Sequence, residues 1–140
     1  MPDRAVTFSI VNAIAVDHLD ALLAELDRQE FQVVRLDGRG ATDKDTFLAR
    51  ADTDLPRPDD LHPHNWDALA DTLWNGLIDL AAAGHHQIAV VWTAANELAR
   101  SDLQDFVTAV DVLVQVARDV EPSVIVCLVG DGPEYRHLGG

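Results

Sequence analysis

Asp67 and Asp71 stand four residues apart in a segment of helical periodicity, and carboxylates at that spacing can do three kinds of chemistry. On a helix they are neighbours, roughly 5–6 Å apart at Cβ. Close carboxylates can separate in pKa and act as general acid and base. Together with the loop histidines His62 and His64, and with His85-His86, they could hold a metal for hydrolysis. As fixed anions they could instead dock on a cationic partner through charge-assisted hydrogen bonds. The first option needs a pocket and a nucleophile, but Ser9, Ser101 and Ser123 read as strand, cap and turn residues, with no nucleophile motif or glycine-rich phosphate cradle. The second lacks a recognised ligand spacing, and His85-His86 follows Gly84 in a connecting turn. The residues therefore point to binding, with no catalytic residue, no metal and no cofactor.

Charge supports that direction. Twenty-four acids against ten Lys and Arg give a formal charge of −14. Nucleic-acid binding gains its affinity by neutralising phosphates with cations, so nucleic acid is excluded as a partner and a basic protein is favoured. No stretch reaches the roughly 18 apolar residues of a membrane span, and Met1 to Arg4 do not open a secretory signal. The single cysteine, Cys127, lies inside an apolar run and can form no intramolecular disulfide. It reads as a buried thiol of a cytoplasmic protein.

The elements that position these residues follow from periodicity. Val6 to Val11, Phe31 to Leu36, Ile88 to Trp92 and Val124 to Val129 are short apolar runs suited to buried strands. A helix starts at Asp17 and turns Leu19, Leu22, Leu23 and Leu26 to one side, and Thr42 caps a short helix carrying Phe47 and Leu48. Asp52 to His64 is a polar loop stiffened by three prolines. Helix resumes at Asn65 and runs to about Ala82, with Gly76 as its weak point. Ser101 and Gln104 form a capping box for the last helix. The order β-α-β-α-α-β-α-β predicts an α/β fold with a mainly parallel sheet, helices on both faces, and a loose tail from Gly130.

On a helical wheel, Trp66, Leu69, Leu73, Leu77 and Leu80 gather on a core face, and Asp67, Asp71, Trp74 and Ile78 form a second stripe. The plain alternative is a solvated acidic face. Trp74 and Ile78 are poor choices for a stripe that meets only water, and Trp is a strong interface anchor. Asn65 is placed to cap the helix, where negative charge is favoured.

The segment Asn65-Trp66-Asp67-Ala68-Leu69-Ala70-Asp71-Thr72-Leu73 resembles the barstar signature, Asn-Trp/Leu-Asp-Ala-Leu-x-Asp-x-Leu. Upstream lie Leu55-Pro56 and a strand ending Leu36-Asp37-Gly38; downstream come Val90 to Trp92, a long helix and a closing strand. The resemblance covers Phe31 to Val129 and leaves residues 1–30 as an added βα unit, with 130–140 as a tail. It implies a barstar-like inhibitor or immunity protein that occludes the active site of a basic extracellular or toxin-type ribonuclease. Asp71 would mimic a phosphate, with Asp67 beside it. Asn65, Trp66, His64, His62 and Trp74 would complete the contact edge, in a protein monomeric when free. Four features depart from the family pattern: Ala70 where Trp is frequent, Pro63-His64 where Gly is usual, Leu61-His62 in place of aromatics, and Asp119 as a loose match to later acidic contacts. They point to a target other than a close barnase relative, and the alternative reading is a barstar-like binding module for another basic protein.

Overall fold

A computed structural model of the protein describes residues 7–131. Strand β1 (Val11–Ala15) is followed by a 3-10 turn (Val16–His18) and helix α1 (Leu19–Arg28). Then come β2 (Gln32–Asp37), α2 (Lys44–Asp54), α3 (Trp66–Ala82) and β3 (Gln87–Thr93). The chain closes with α4 (Ala95–Ser101), α5 (Leu103–Asp119) and β4 (Ser123–Gly130). The four strands form one sheet in the order β1-β4-β3-β2, with every pair parallel. This is the expected α/β architecture.

The strand order explains the two cores. From β1 the chain crosses the sheet to β2 at the far edge, then steps back through β3 to β4. Right-handed crossovers in opposite directions place their helices on opposite faces. Accordingly Leu22 and Leu26 of α1 pack on Ala89, Val91, Ile125, Cys127 and Val129. The alternate strand residues, among them Ile88, Val90, Trp92, Val126 and Leu128, face the helical layer of α2 to α5. Because β3 and β4 are covered on both sides, they read as unbroken apolar runs. Trp92 centres the larger core between Phe47 and Phe106, with ring centroids 4.8 and 5.6 Å away. Cys127 is fully buried, and desolvation pushes its thiol up to about 12. Among the described residues no helix is long and apolar enough to cross a membrane.

Several boundaries differ from the sequence expectation. The first strand is Val11–Ala15 and not Val6–Val11; Val6 lies outside the described residues, as does the tail from Gly132. Asn12 does not break this strand: its amide nitrogen donates to the Ser9 carbonyl (2.7 Å) and reaches the Val126 carbonyl at 3.4 Å. Asp17 lies in the 3-10 turn, so α1 proper starts two residues later. Asp43, not Thr42, caps α2 in a reciprocal box with Thr46. That helix also extends through Asp52 and Asp54, where the sequence read as loop, because Arg50 and Arg57 pair with these acids. It stops at Leu55 because the next residue is Pro56. Ser101 ends a seven-residue helix that had no sequence signal, and Asp102, not a Ser101–Gln104 box, caps α5 by accepting from the Asp105 N–H (3.0 Å).

Helix α3 runs unbroken through Gly76. The glycine is a close-approach position: a Cβ there would overlap the Pro56 carbonyl, so its absence lets the loop lie against the helix.

Candidate functional site

Helix α3 begins where Asn65, in an extended conformation, turns its Oδ1 to accept from the Ala68 N–H at 2.7 Å. That cap satisfies one of the unpaired amides of the first turn. Trp66 then faces inward, 5.9 Å from the Phe47 ring, and is only partly buried. One residue on, Asp67 points to solvent, and Asp71 follows it one turn later, also exposed. Trp74 continues the line and is 37% exposed, large for an indole. Ile78, placed in the same stripe by the wheel, packs in part against the larger core, so the outward stripe is Asp67, Asp71 and Trp74. Leu69, Leu73 and Leu77 are buried as expected.

Several acids on the neighbouring elements are engaged by cations or hydrogen bonds. Arg39 donates to Asp37 and, with help from Arg50, holds its carboxyl down at about 2. Thr46 lowers Asp43 through backbone and side-chain hydrogen bonds. Asp54 accepts the Asp37 N–H (2.9 Å), and Asp105 accepts the Lys44 N–H (2.8 Å). Among the described residues Asp67 makes no hydrogen bond or ion pair, and the Asp71 carboxylate meets only the Asn75 amide at 3.5 Å. No Lys or Arg occurs between Arg57 and Arg100, while that stretch holds Asp59, Asp60, Asp67, Asp71, Asp79 and Glu97. The stripe is thus an uncompensated anionic surface on a rigid helix, equipped to accept hydrogen bonds from a cationic partner.

The preceding loop is ordered by tertiary contacts that the sequence reading missed. Arg57 donates from Nε to the Asp52 carbonyl (3.0 Å) and from Nη1 to the carbonyls of Pro58, Asp59 and Leu61 at 3.1, 3.2 and 3.2 Å. Its Nε also lies 2.9 Å from the Asp52 carboxylate. His62 Nδ1 is 2.8 Å from the same carboxylate oxygen, and this hydrogen bond, with Arg57 nearby, holds the Asp52 carboxyl below its ordinary value. His64 is exposed, with Nδ1 3.2 Å from the His62 carbonyl, and Pro63 between them is buried.

The structure thus brings Asp67, Asp71 and Trp74 together on the surface, with Asn65 as cap and His62 and His64 on the adjoining loop. Trp66 belongs to the packing beneath. Asp119 is not brought to them. Helices α3 and α5 both run back from the carboxyl ends of the strands, so Asp119, in the last turn of α5, lies at the other end of the layer. It accepts instead from Gln115 Nε2 at 2.6 Å.

Helix α3 thus presents an acidic, capped and outward-facing surface on a parallel α/β scaffold. The family model described as barstar (barnase inhibitor) matches residues 31–130, and the chain belongs to the barstar family. The matched span takes in β2 through β4 and leaves β1 and α1 outside. No curated protein matches the chain.

Proposed function

We propose that this protein is a ribonuclease inhibitor that seats the outward stripe of α3 in the nuclease active site. In this reading Asp71 occupies the position of a substrate phosphate and Asp67 supports it from one turn earlier. The carrying observation is the pair of exposed carboxylates one turn apart on α3, beside the exposed Trp74, with no cation to neutralise them, in a chain of the barstar family. A nuclease site holds Arg, Lys and His around a phosphate, and a carboxylate carried on a helix meets them without ordering of the backbone. The net charge of −14 attracts a basic enzyme from a distance. Trp74 supplies anchoring area where Ala70 replaces the aromatic frequent in the family, and His62, His64 and the Asn65 edge complete the contact. The thiol of Cys127, alone and sequestered, fits a role in the cytoplasm that protects the cell from a secreted or toxin-type nuclease.

Inhibition across a panel of microbial guanyl-specific ribonucleases that includes barnase tests the reading. The protein should inhibit at stoichiometric concentration, Asp71→Ala should abolish inhibition and Asp67→Ala should weaken it. The association rate should fall steeply with added salt, since steering is screened over about 8 Å at physiological ionic strength. An association rate indifferent to salt, or inhibition intact in the double variant, would overturn the assignment. Stable association with a basic protein that is not a nuclease would favour the alternative binding-module reading, which the departures at Ala70 and Pro63-His64 motivate.

A further inference from the structure

The loop from Leu55 to His64 contains Pro56, Pro58 and Pro63, so three of its residues have no amide hydrogen to donate. Its carbonyls outnumber its donors, and within the loop only the Leu61 N–H (to the Pro58 carbonyl, 3.1 Å) and the His64 N–H (to the His62 carbonyl, 3.0 Å) close turns of their own. Both ends are anchored on α3: the Pro56 carbonyl against Gly76, and Asn65 as the cap. The middle is gathered by a single guanidinium. Arg57 ties the carbonyls of Pro58, Asp59 and Leu61 to the last turn of α2 through Asp52. Its side chain is only 23% exposed, so it points into this nest of carbonyls and not toward a partner.

We propose that Arg57 is a positioning residue for the inhibitory surface: it holds the loop in the arrangement that presents His62, His64 and the start of α3 to the partner. The proposal rests on the assignment of α3 as the inhibitory helix. It adds a cation whose contribution to binding is opposite in sign to its charge. Arg57 is the Lys or Arg nearest in sequence to the anionic stripe of α3, so its removal makes the protein more attractive to a basic enzyme at long range. If charge were its whole role, Arg57→Ala would tighten binding. If it positions the loop, Arg57→Ala weakens binding despite the added negative charge, because only a fraction of molecules then carry the competent loop. A loop competent one-tenth of the time raises the apparent Kd about tenfold. Lysine keeps the charge but offers a compact ammonium in place of the planar fork, so Arg57→Lys should restore only part of the loss.

The test uses the full chain and, as probe, the ribonuclease of that panel that the wild type binds most tightly, measuring association and dissociation rates for the wild type, Arg57→Ala and Arg57→Lys, with melting curves to establish folding. Amide exchange at Leu61 and His64 in the free protein reports loop order without the nuclease. The expected result is faster exchange at both amides and a Kd raised about tenfold in Arg57→Ala, mostly through slower association, with Arg57→Lys intermediate. Tighter or unchanged binding by folded Arg57→Ala overturns the positioning role while leaving the function of α3 intact. Unchanged exchange at Leu61 and His64 overturns it as well. If Arg57→Ala does not fold, Arg57→Lys decides: wild-type affinity overturns the proposal, and weakened affinity with faster exchange supports it. Failure of the wild type to bind any ribonuclease of the panel is distinct from all of these: it removes the inhibitor assignment and the positioning role with it.

Discussion

Replacing Asp71 by alanine separates binding from stability in a way that few substitutions would. In the free protein the Asp71 carboxylate has one marginal contact, the Asn75 amide at 3.5 Å, and the shorter bond from Asn75 goes to the main-chain carbonyl, which alanine retains. Alanine is the better helix former by roughly 0.5 kcal/mol. It also removes the like-charge neighbour of Asp67, worth a few tenths of a kcal/mol, about 0.3. The fold should therefore gain about 0.5–1 kcal/mol, a rise in Tm of about 2–4 °C for a domain of this size. In the complex the same change leaves the cationic groups of a nuclease site buried without their counter-charge. Breaking a buried pair in this way costs roughly 3–5 kcal/mol. At about 1.4 kcal/mol per decade, Kd rises roughly 150- to 4,000-fold. Titrating the activity of the panel ribonuclease that the wild type inhibits most tightly against each inhibitor, with calorimetric melting of the same samples, reads both numbers. A folded Asp71→Ala protein that inhibits within about threefold of wild type, less than 1 kcal/mol, would refute the placement of the site. A Tm lowered by several degrees would refute the claim that this carboxylate serves no structural purpose.

Other perturbations test the scaffold. Asn65→Ala leaves the Ala68 amide without its acceptor and should cost about 1 kcal/mol in urea unfolding, whereas Asn65→Asp should preserve the cap. Leu26, with no exposed surface, is the centre of the contact between α1 and the sheet; Leu26→Ala should cost about 2–5 kcal/mol. A single cooperative transition in that variant would show that the N-terminal unit folds with the rest. For Cys127 the folded thiol titrates near 12 against an ordinary 9.0, so the native state keeps a proton that the unfolded chain releases. The stabilisation is complete below pH 9 and is lost as pH rises from there toward 12, a slope that Cys127→Ala should abolish in urea midpoints measured across that range. Native protein should resist thiol reagents until it unfolds.

The elements legible in the sequence are those whose signal is their own burial. β3 and β4, covered on both faces, appear as unbroken apolar runs, and α3 and α5 carry long periodic stripes. β1 was displaced because it is an edge strand, half-buried and interrupted by Asn12, whose compatibility with the strand depends on a carbonyl of β4. α4 was invisible because it starts from Ala94 in a left-handed conformation (φ 54°) without a capping side chain. The site was legible in part for the same reason. Asp67, Asp71 and Trp74 follow from helical spacing alone, whereas the work of Arg57 and Asp52 depends on contacts between the end of one helix and the loop leading to the next. Gly76 carried a signal that pointed the wrong way: a residue that weakens an isolated helix is here the one that lets a loop backbone touch it.

The pairing of β1 with β4 joins the beginning of the described chain to its end, with Val11 opposite Val126. Closing a segment of that length costs roughly 4 kcal/mol of chain entropy, about 1 kcal/mol more than bringing β3 to β4. During synthesis β1 has no ladder partner until β4 is made, whereas Leu22 and Leu26 of α1 can already meet Phe31, Val33, Ala89 and Val91. The β1–β4 pairing is the last to form, and its release leaves the other strands paired. Opening of β1 and α1 uncovers the face of the sheet opposite α3, so the protein can fray at its N-terminal edge while the helix that carries Asp67 and Asp71 stays folded.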